Sequence, residues 1–283
     1  NFETDNVFLK NPINNEWRVM RKSLLPGLLI SIQKNINRGI EEVQLFELGR
    51  QYDPVKGTNA FSKNKAADKN KSNLSKEVNY LSGMLTSKVE RKLWKEEMSR
   101  NIYYLKGIIE MFLEDMRLKK FSFKKISLPA FNNLIELYSS ENKIGYIGEL
   151  SRGVTDKLDV KDRLLVFEIN LDILYKIREE LTSFRSISKY PNILRDIAIL
   201  ADRKVESKVI EDFIKRQGTS LLKKLTLFDC YEGKSIPPGK KSLAYSLVFG
   251  DDERTLKDEE VDAIHENIIK GLADKFQAHL RPQ

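Results

Sequence analysis

Asp229, Tyr231, Lys240, Lys241 and Ser242 sit close together in the stretch LFDCYEGKSIPPGKKS, residues 227–242. They supply a carboxylate acceptor, a stacking ring, two cations and an adaptable hydroxyl, a set better suited to reading a base than to breaking a bond. Tyr231 can stack, Asp229 can accept from a Watson-Crick edge such as guanine's, Ser242 can adapt, and Lys240 and Lys241 can reach phosphate. The same residues also suit plainer tasks: Tyr231 packing on a sheet, Asp229 fixing a turn, and the lysines solvating a tip.

The elements that must hold these residues are legible around them. Two β-prone apolar runs, Leu225 to Tyr231 and Leu243 to Phe249, flank a turn bearing Gly233, Pro237, Pro238 and Gly239, which predicts a β-hairpin with a long basic tip. Alternation assigns faces: if Ile197 and Ile199 face helices, Ala198 and Leu200 face out. If Leu243, Tyr245, Leu247 and Phe249 face in, then Ser242, Ala244 and Ser246 face out. Small outward residues leave room for a base. The strand 225–231 breaks the pattern, because Asp229 and Tyr231 face out together with Leu225 and Leu227 unless a bulge intervenes.

The domain that carries the hairpin reads as strand Asp196–Leu200, helix Val205–Arg216, strand Leu221–Tyr231, strand Lys241–Phe249, helix Asp258–Lys275 and a final strand near Gln277–Leu280. That order, βαββαβ, is the ferredoxin-like split arrangement. Thr255, followed by Asp258 and Glu259, gives the last helix a start of suitable polarity. Ahead of this domain the polar run Thr182–Tyr190, ending at Pro191, predicts a linker. The expected division is residues 1–185 and 186–283.

Residues 1–185 promise a mixed α+β domain built on an antiparallel sheet. Ser23–Asn37 reads as a helix capped by Ser23 and ended by Gly39, with Leu25, Leu28, Leu29, Ile32 and Ile36 on one face. A strand follows at Val43–Leu48, broken by Gly49, and another at Val78–Leu85. A helix is predicted over Ile102–Met116, strands near Leu134–Tyr138, Ile144–Ile147 and Leu164–Ile169, and a closing helix over Leu171–Leu181. Between the first two strands, Lys56–Lys76 is rich in Lys, Asn and Ser and predicts a solvated loop.

The chain has 283 residues and 41% hydrophobic content, enough for two modest cores. Its single cysteine, Cys230, cannot form an intrachain disulfide, and no apolar N-terminal segment is present, which points to a reducing cytoplasm. The apolar run Leu24–Ile32 is interrupted by Pro26 and Gly27 and is far shorter than the ~20 residues of a membrane span. The net charge of +8 is unevenly placed: residues 186–283 hold 17 Lys and Arg against 16 Asp and Glu, leaving 32 against 25 elsewhere. The hairpin domain is therefore no bulk phosphate binder, and its recognition must be local. His265 and His279 lack zinc-ligand spacing, and Gly145-Tyr146-Ile147-Gly148 lacks the remaining glycine and helix start of a phosphate loop.

In order, the chain carries Asn11-Pro12, NEWRVMRKSLLPGLL, Asn35, LFELG at Leu45–Gly49, Leu105-Lys106-Gly107 and IGYIGEL at Ile144–Leu150. Then follow Tyr190-Pro191, Arg195-Asp196, FDCYEG, GKKS, Arg254-Thr255-Leu256, Glu259-Glu260-Val261 and Leu280-Arg281. Taken together these resemble the C-terminal portion of the bacterial phenylalanyl-tRNA synthetase beta subunit family. Ser151-Arg152 departs from the family's His-Pro after GEL, and Leu128–Asn133 lacks its glycine and arginine.

The resemblance implies a class II synthetase-like antiparallel sheet domain, non-catalytic and docked on an alpha subunit, followed by a ferredoxin-fold anticodon-binding domain. It implies a heterotetramer of two alpha and two beta chains, phenylalanine tRNA as RNA partner, and ATP with Mg for the holoenzyme but no cofactor in this segment. It also places anticodon contacts at Ala198, Asp229, Tyr231 and Ser242. The residues agree with a non-catalytic first domain. Gly49-Arg50-Gln51-Tyr52-Asp53 puts an anion where the alpha subunit would hold ATP phosphate with arginine, and VFEINLDIL at Val166–Leu174 would fill the adenine site. The rival expectation is an autonomous adenylating enzyme with a regulatory ferredoxin-like domain. A third is a structural subunit without RNA contact.

Overall fold

A computed structural model describes residues 6–9, 11–14, 18–54, 75–89, 99–118, 120–178, 188–233 and 235–281. The chain divides into two units, Asn1–Thr182 and Ser183–Gln283, a boundary three residues ahead of the expected one. Most of the lysine-rich run and most of the expected linker lie outside the described residues.

The first unit is built from α1 (Leu25–Ile36), β1 (Gln44–Asp53), β2 (Lys76–Thr86), α2 (Ile102–Asp115), β3 (Ser122–Ile126), β4 (Phe131–Ser139), β5 (Asn142–Leu150), α3 (Arg152–Thr155), β6 (Leu164–Asn170) and α4 (Leu171–Ile177). Six strands form one antiparallel sheet in the order β1-β2-β6-β5-β4-β3. Alternation along β6 sends Leu165 and Ile169 to a core with α2 and α4, and Leu164 and Val166 to a core under α1.

Local chemistry explains the helix starts. Asn101 caps α2 by accepting from the Tyr103 and Tyr104 N–H groups. Ser23, the expected cap of α1, lies one residue ahead of the observed N-cap, Leu24, and its Oγ accepts from Leu25 N–H at 3.1 Å.

Gly49 does not end β1, which runs on to Asp53. It is instead a point of close approach: a Cβ there would lie 2.4 Å from the Arg21 guanidinium and 3.0 Å from Leu24 Cδ2. And β3, SFKKI, was not anticipated, since a short edge strand with exposed lysines has no clean apolar alternation.

The second unit contains β7 (Ile193–Asp202), α5 (Ser207–Gln217), β8 (Leu222–Tyr231), β9 (Lys240–Phe249), α6 (Asp258–Phe276) and β10 (His279–Leu280). Its antiparallel sheet has the order β10-β7-β9-β8, the ferredoxin-like arrangement that βαββαβ predicts. Ile197, Ile199, Leu243, Tyr245, Leu247 and Phe249 face Ile210, Ile214, Val261, Ile268 and Leu272 of the helices. Thr255 is not the cap of α6, whose N-cap is Lys257. Asp258, Glu259 and Glu260 fill its first turn, where they favour the helix dipole.

Candidate nucleic-acid interface

The opposite face of the second sheet carries no helix of its own unit, and the register sets what stands on it. Ala198 pairs with Ala244 and Ala244 with Asp229; Leu200 pairs with Ser242 and Ser242 with Tyr231. Directly paired residues share a face, so Ala198, Asp229, Tyr231 and Ser242 converge on one side.

The parity conflict in β8 is resolved by a bulge. Leu225 pairs with Leu247 and Leu227 with Tyr245, both inward, but the register shifts before Asp229 meets Ala244. Phe228 is the extra residue. It lets Leu225 and Leu227 pack on the core while Asp229 and Tyr231 turn out.

Exposure divides the set. Asp229 is exposed and Tyr231 is 41% exposed, but Ser242 is only 1% exposed. The hydroxyl expected to be open is thus covered in the free chain. Lys240, opposite Asp202, shares the face of Ser242, whereas Lys241, opposite the buried Ala201, alternates to the helix side. Of the two lysines, only Lys240 is placed by the register beside the other residues.

Two further features of the face have no local signature in the sequence. Arg281 N–H donates to Ala198 O at 2.9 Å, and the Arg281 guanidinium lies 5.9 Å from the Tyr231 ring centroid. The residue that follows edge strand β10 thereby brings a cation to the ring carried by the opposite edge strand, β8. Gly233 is the second: a Cβ there would fall 2.1 Å from the Tyr231 hydroxyl, so only glycine leaves the ring where it lies. Alternation from His279 predicts the facing of Arg281, but only once the two-residue β10 is known.

Among the described residues of the first unit, the most connected polar group is Glu168, on β6 and 5% exposed. Its Oε1 accepts from Ser23 Oγ at 2.8 Å, Leu24 N–H at 3.1 Å, Gln51 Nε2 at 2.8 Å and Ser82 Oγ at 3.1 Å. Its Oε2 accepts from the Tyr146 hydroxyl at 2.7 Å. Burial first, then the Glu168 charge, pushes the Tyr146 phenol far above its usual range, so it stays a donor. Arg50, the cation of the GRQYD stretch, pairs with Glu77 at 2.8 Å. These residues satisfy one another, and a saturated buried carboxylate repels rather than holds a phosphate. They do not fit ATP.

Comparison with known proteins decides the family. The model of the phenylalanyl tRNA synthetase beta chain CLM domain matches residues 1–171. The chain belongs to the phenylalanyl tRNA synthetase beta chain family. The ferredoxin-fold anticodon binding domain matches residues 188–281 of this family member. The phenylalanine–tRNA ligase beta subunit of Carboxydothermus hydrogenoformans is 34% identical over 281 residues, covering 98% of this chain and 33% of that protein. Those of Fusobacterium nucleatum and Bacillus subtilis are 32% and 31% identical over 99% and 98% of the chain. The chain spans about a third of the length of these beta subunits.

Within the beta chain family member, the matched ferredoxin-fold segment contains the whole outer face described above, including Arg281. Among the described residues no cluster of His, Cys, Asp and Glu could hold a metal, and no helix is long and apolar enough to cross a membrane.

Proposed function

We propose that the chain is the C-terminal part of a phenylalanine–tRNA ligase beta subunit. Its first unit is a non-catalytic scaffold for the alpha subunit, and its second binds the anticodon end of phenylalanine tRNA during ATP-dependent aminoacylation. The observation that carries this reading is the convergence of Ala198, Asp229, Tyr231 and Ser242 on the open sheet face, made possible by the bulge at Phe228.

The chemistry follows from that placement. A base stacks on Tyr231, while Asp229 accepts from its N–H groups and the alanines leave space beneath. Because Arg281 lies over the ring in the free chain, the base displaces the guanidinium, which is then within reach of the backbone phosphate. Lys240, on the same face as Ser242, adds a second phosphate contact.

The first unit supports the scaffold role in two ways. Glu168 and its five donors occupy the polar end of the sheet face, which favours a non-catalytic subunit over an autonomous adenylating enzyme. Phe46 and Leu48 of the edge strand β1 are 72% and 63% exposed, an apolar surface fit to be covered by the alpha subunit. ATP and Mg belong to the holoenzyme, a cytoplasmic heterotetramer of two alpha and two beta chains.

Deleting residues 186–283 from the full beta subunit, assembled with alpha, tests the assignment. The KM for tRNA rises much more than the KM for ATP or phenylalanine. Equal changes in all three would sink the RNA assignment.

A further inference from the structure

Phe228 is an aromatic residue that the core of its domain does not use. It is 58% exposed, it lies on edge strand β8, and as the bulged residue it has no partner on β9. Leu225 and Leu227 pack on the core beside it, but Phe228 is absent from that cluster. Among the described residues no ring or cation lies over it, whereas Tyr231 has Arg281. An uncovered aromatic on an unpaired edge invites strand-to-strand association, a liability that natural edges suppress with charge or proline. The sequence Phe228-Asp229-Cys230-Tyr231 therefore flanks the exposed carboxylate with two aromatic residues, one on each side along the strand.

We propose that Phe228 is a second stacking platform, which takes the nucleotide next to the one held by Asp229 and Tyr231. The ligand is an unpaired, splayed RNA strand running along the β8 edge, with consecutive bases on separate rings. Stacking suits this position because every base has a π-face, so Phe228 supplies affinity and orientation while Asp229 supplies the sequence preference. The bulge has one consequence for both bases, turning the reading residues outward and leaving the extra ring unpaired beside them. The proposal rests on the anticodon-binding reading above.

The test uses the full 283-residue chain and the anticodon stem-loop of phenylalanine tRNA, with 5-iodouridine placed singly at each loop position. Binding is measured by fluorescence anisotropy, and photocrosslinked residues are mapped by mass spectrometry. Phe228→Ala weakens binding about five-fold or more, the lower end expected for loss of one stacked base. In the unmodified chain Phe228 crosslinks at a loop position adjacent to the one that crosslinks Tyr231. Phe228→Leu, which keeps the apolar contact without the ring and guards against a folding defect, weakens binding comparably, while Phe228→Trp retains it. If Phe228→Leu or Phe228→Ala binds like wild type while Asp229→Asn and Tyr231→Ala do not, this inference is overturned and the anticodon reading stands. If none of the four weakens binding, the anticodon reading itself has failed.

Discussion

Glu168 is a carboxylate held by five neutral donors from the chain before α1, β1, β2 and β5, with no cation among them. Such a group stabilises by satisfying donors that would otherwise be buried without partners, and its removal exposes that cost all at once. Glu168→Ala should lower the stability of the first unit by roughly 2–4 kcal/mol in urea titrations, and Glu168→Gln by less, because the amide oxygen still accepts. A loss below about 0.5 kcal/mol for Glu168→Ala would show that water replaces the carboxylate without penalty. Gly233 makes the complementary case. Gly233→Ala forces the Tyr231 ring from its place but touches no core residue. RNA binding should fall while the melting temperature stays within a degree or two of wild type, roughly what a surface substitution costs.

At the scale of elements, β8 and α6 show where sequence patterns hold and where they stop. The order βαββαβ and the outward facing of Ala198 and Ser242 were readable because β7 and β9 pair in one register without a shift. The facing of Asp229 and Tyr231 was not, since one unpaired residue inverts the alternation and no residue type in LFDCY announces it. Gly49 misled for a related reason: it reads as a strand breaker, but its role is to admit the Arg21 side chain. The meeting of Arg281 with Tyr231 joins residues from opposite edges of the sheet, which local periodicity cannot encode.

Helix α6 also carries a pH prediction. His265 packs between α6 and the sheet, donating to the Asp196 carbonyl, with Nε2 buried and unpartnered and with Arg195, Asp262 and Glu266 nearby. Burial holds its pKa below the usual 6.5. A lowered histidine pKa means that the unfolded chain binds the proton more readily. The stabilising contribution is therefore present above 6.5 and is lost as pH falls below it toward the folded-state value. Melts of the chain should show the second unit losing stability from pH 7.5 to pH 5.5 more steeply than in His265→Gln. Parallel slopes would assign the pH response to other groups.

For the molecule as a whole, charge and apolar surface are divided between the two units. The first holds most of the positive charge and presents the apolar edge of β1. The second is nearly neutral and presents a small set of placed residues. A nearly neutral domain that binds RNA does so through few phosphate contacts. The log-log salt dependence of stem-loop binding should therefore be shallow, with a slope of magnitude about 1 to 2, and Arg281→Ala should reduce it by about 0.7. A steep slope insensitive to Arg281 would place the RNA on the lysine-rich first unit instead.

Anticodon reading by the open face of the second sheet can be measured by equilibrium binding of the phenylalanine anticodon stem-loop and of the same stem with a scrambled anticodon, each to wild type, Asp229→Asn and Tyr231→Ala. Wild type should prefer the true anticodon, Tyr231→Ala should lose ~1–3 kcal/mol of binding, and Asp229→Asn should lose the preference. Equal binding of the two stem-loops by wild type, or a preference that survives both substitutions, would contradict it.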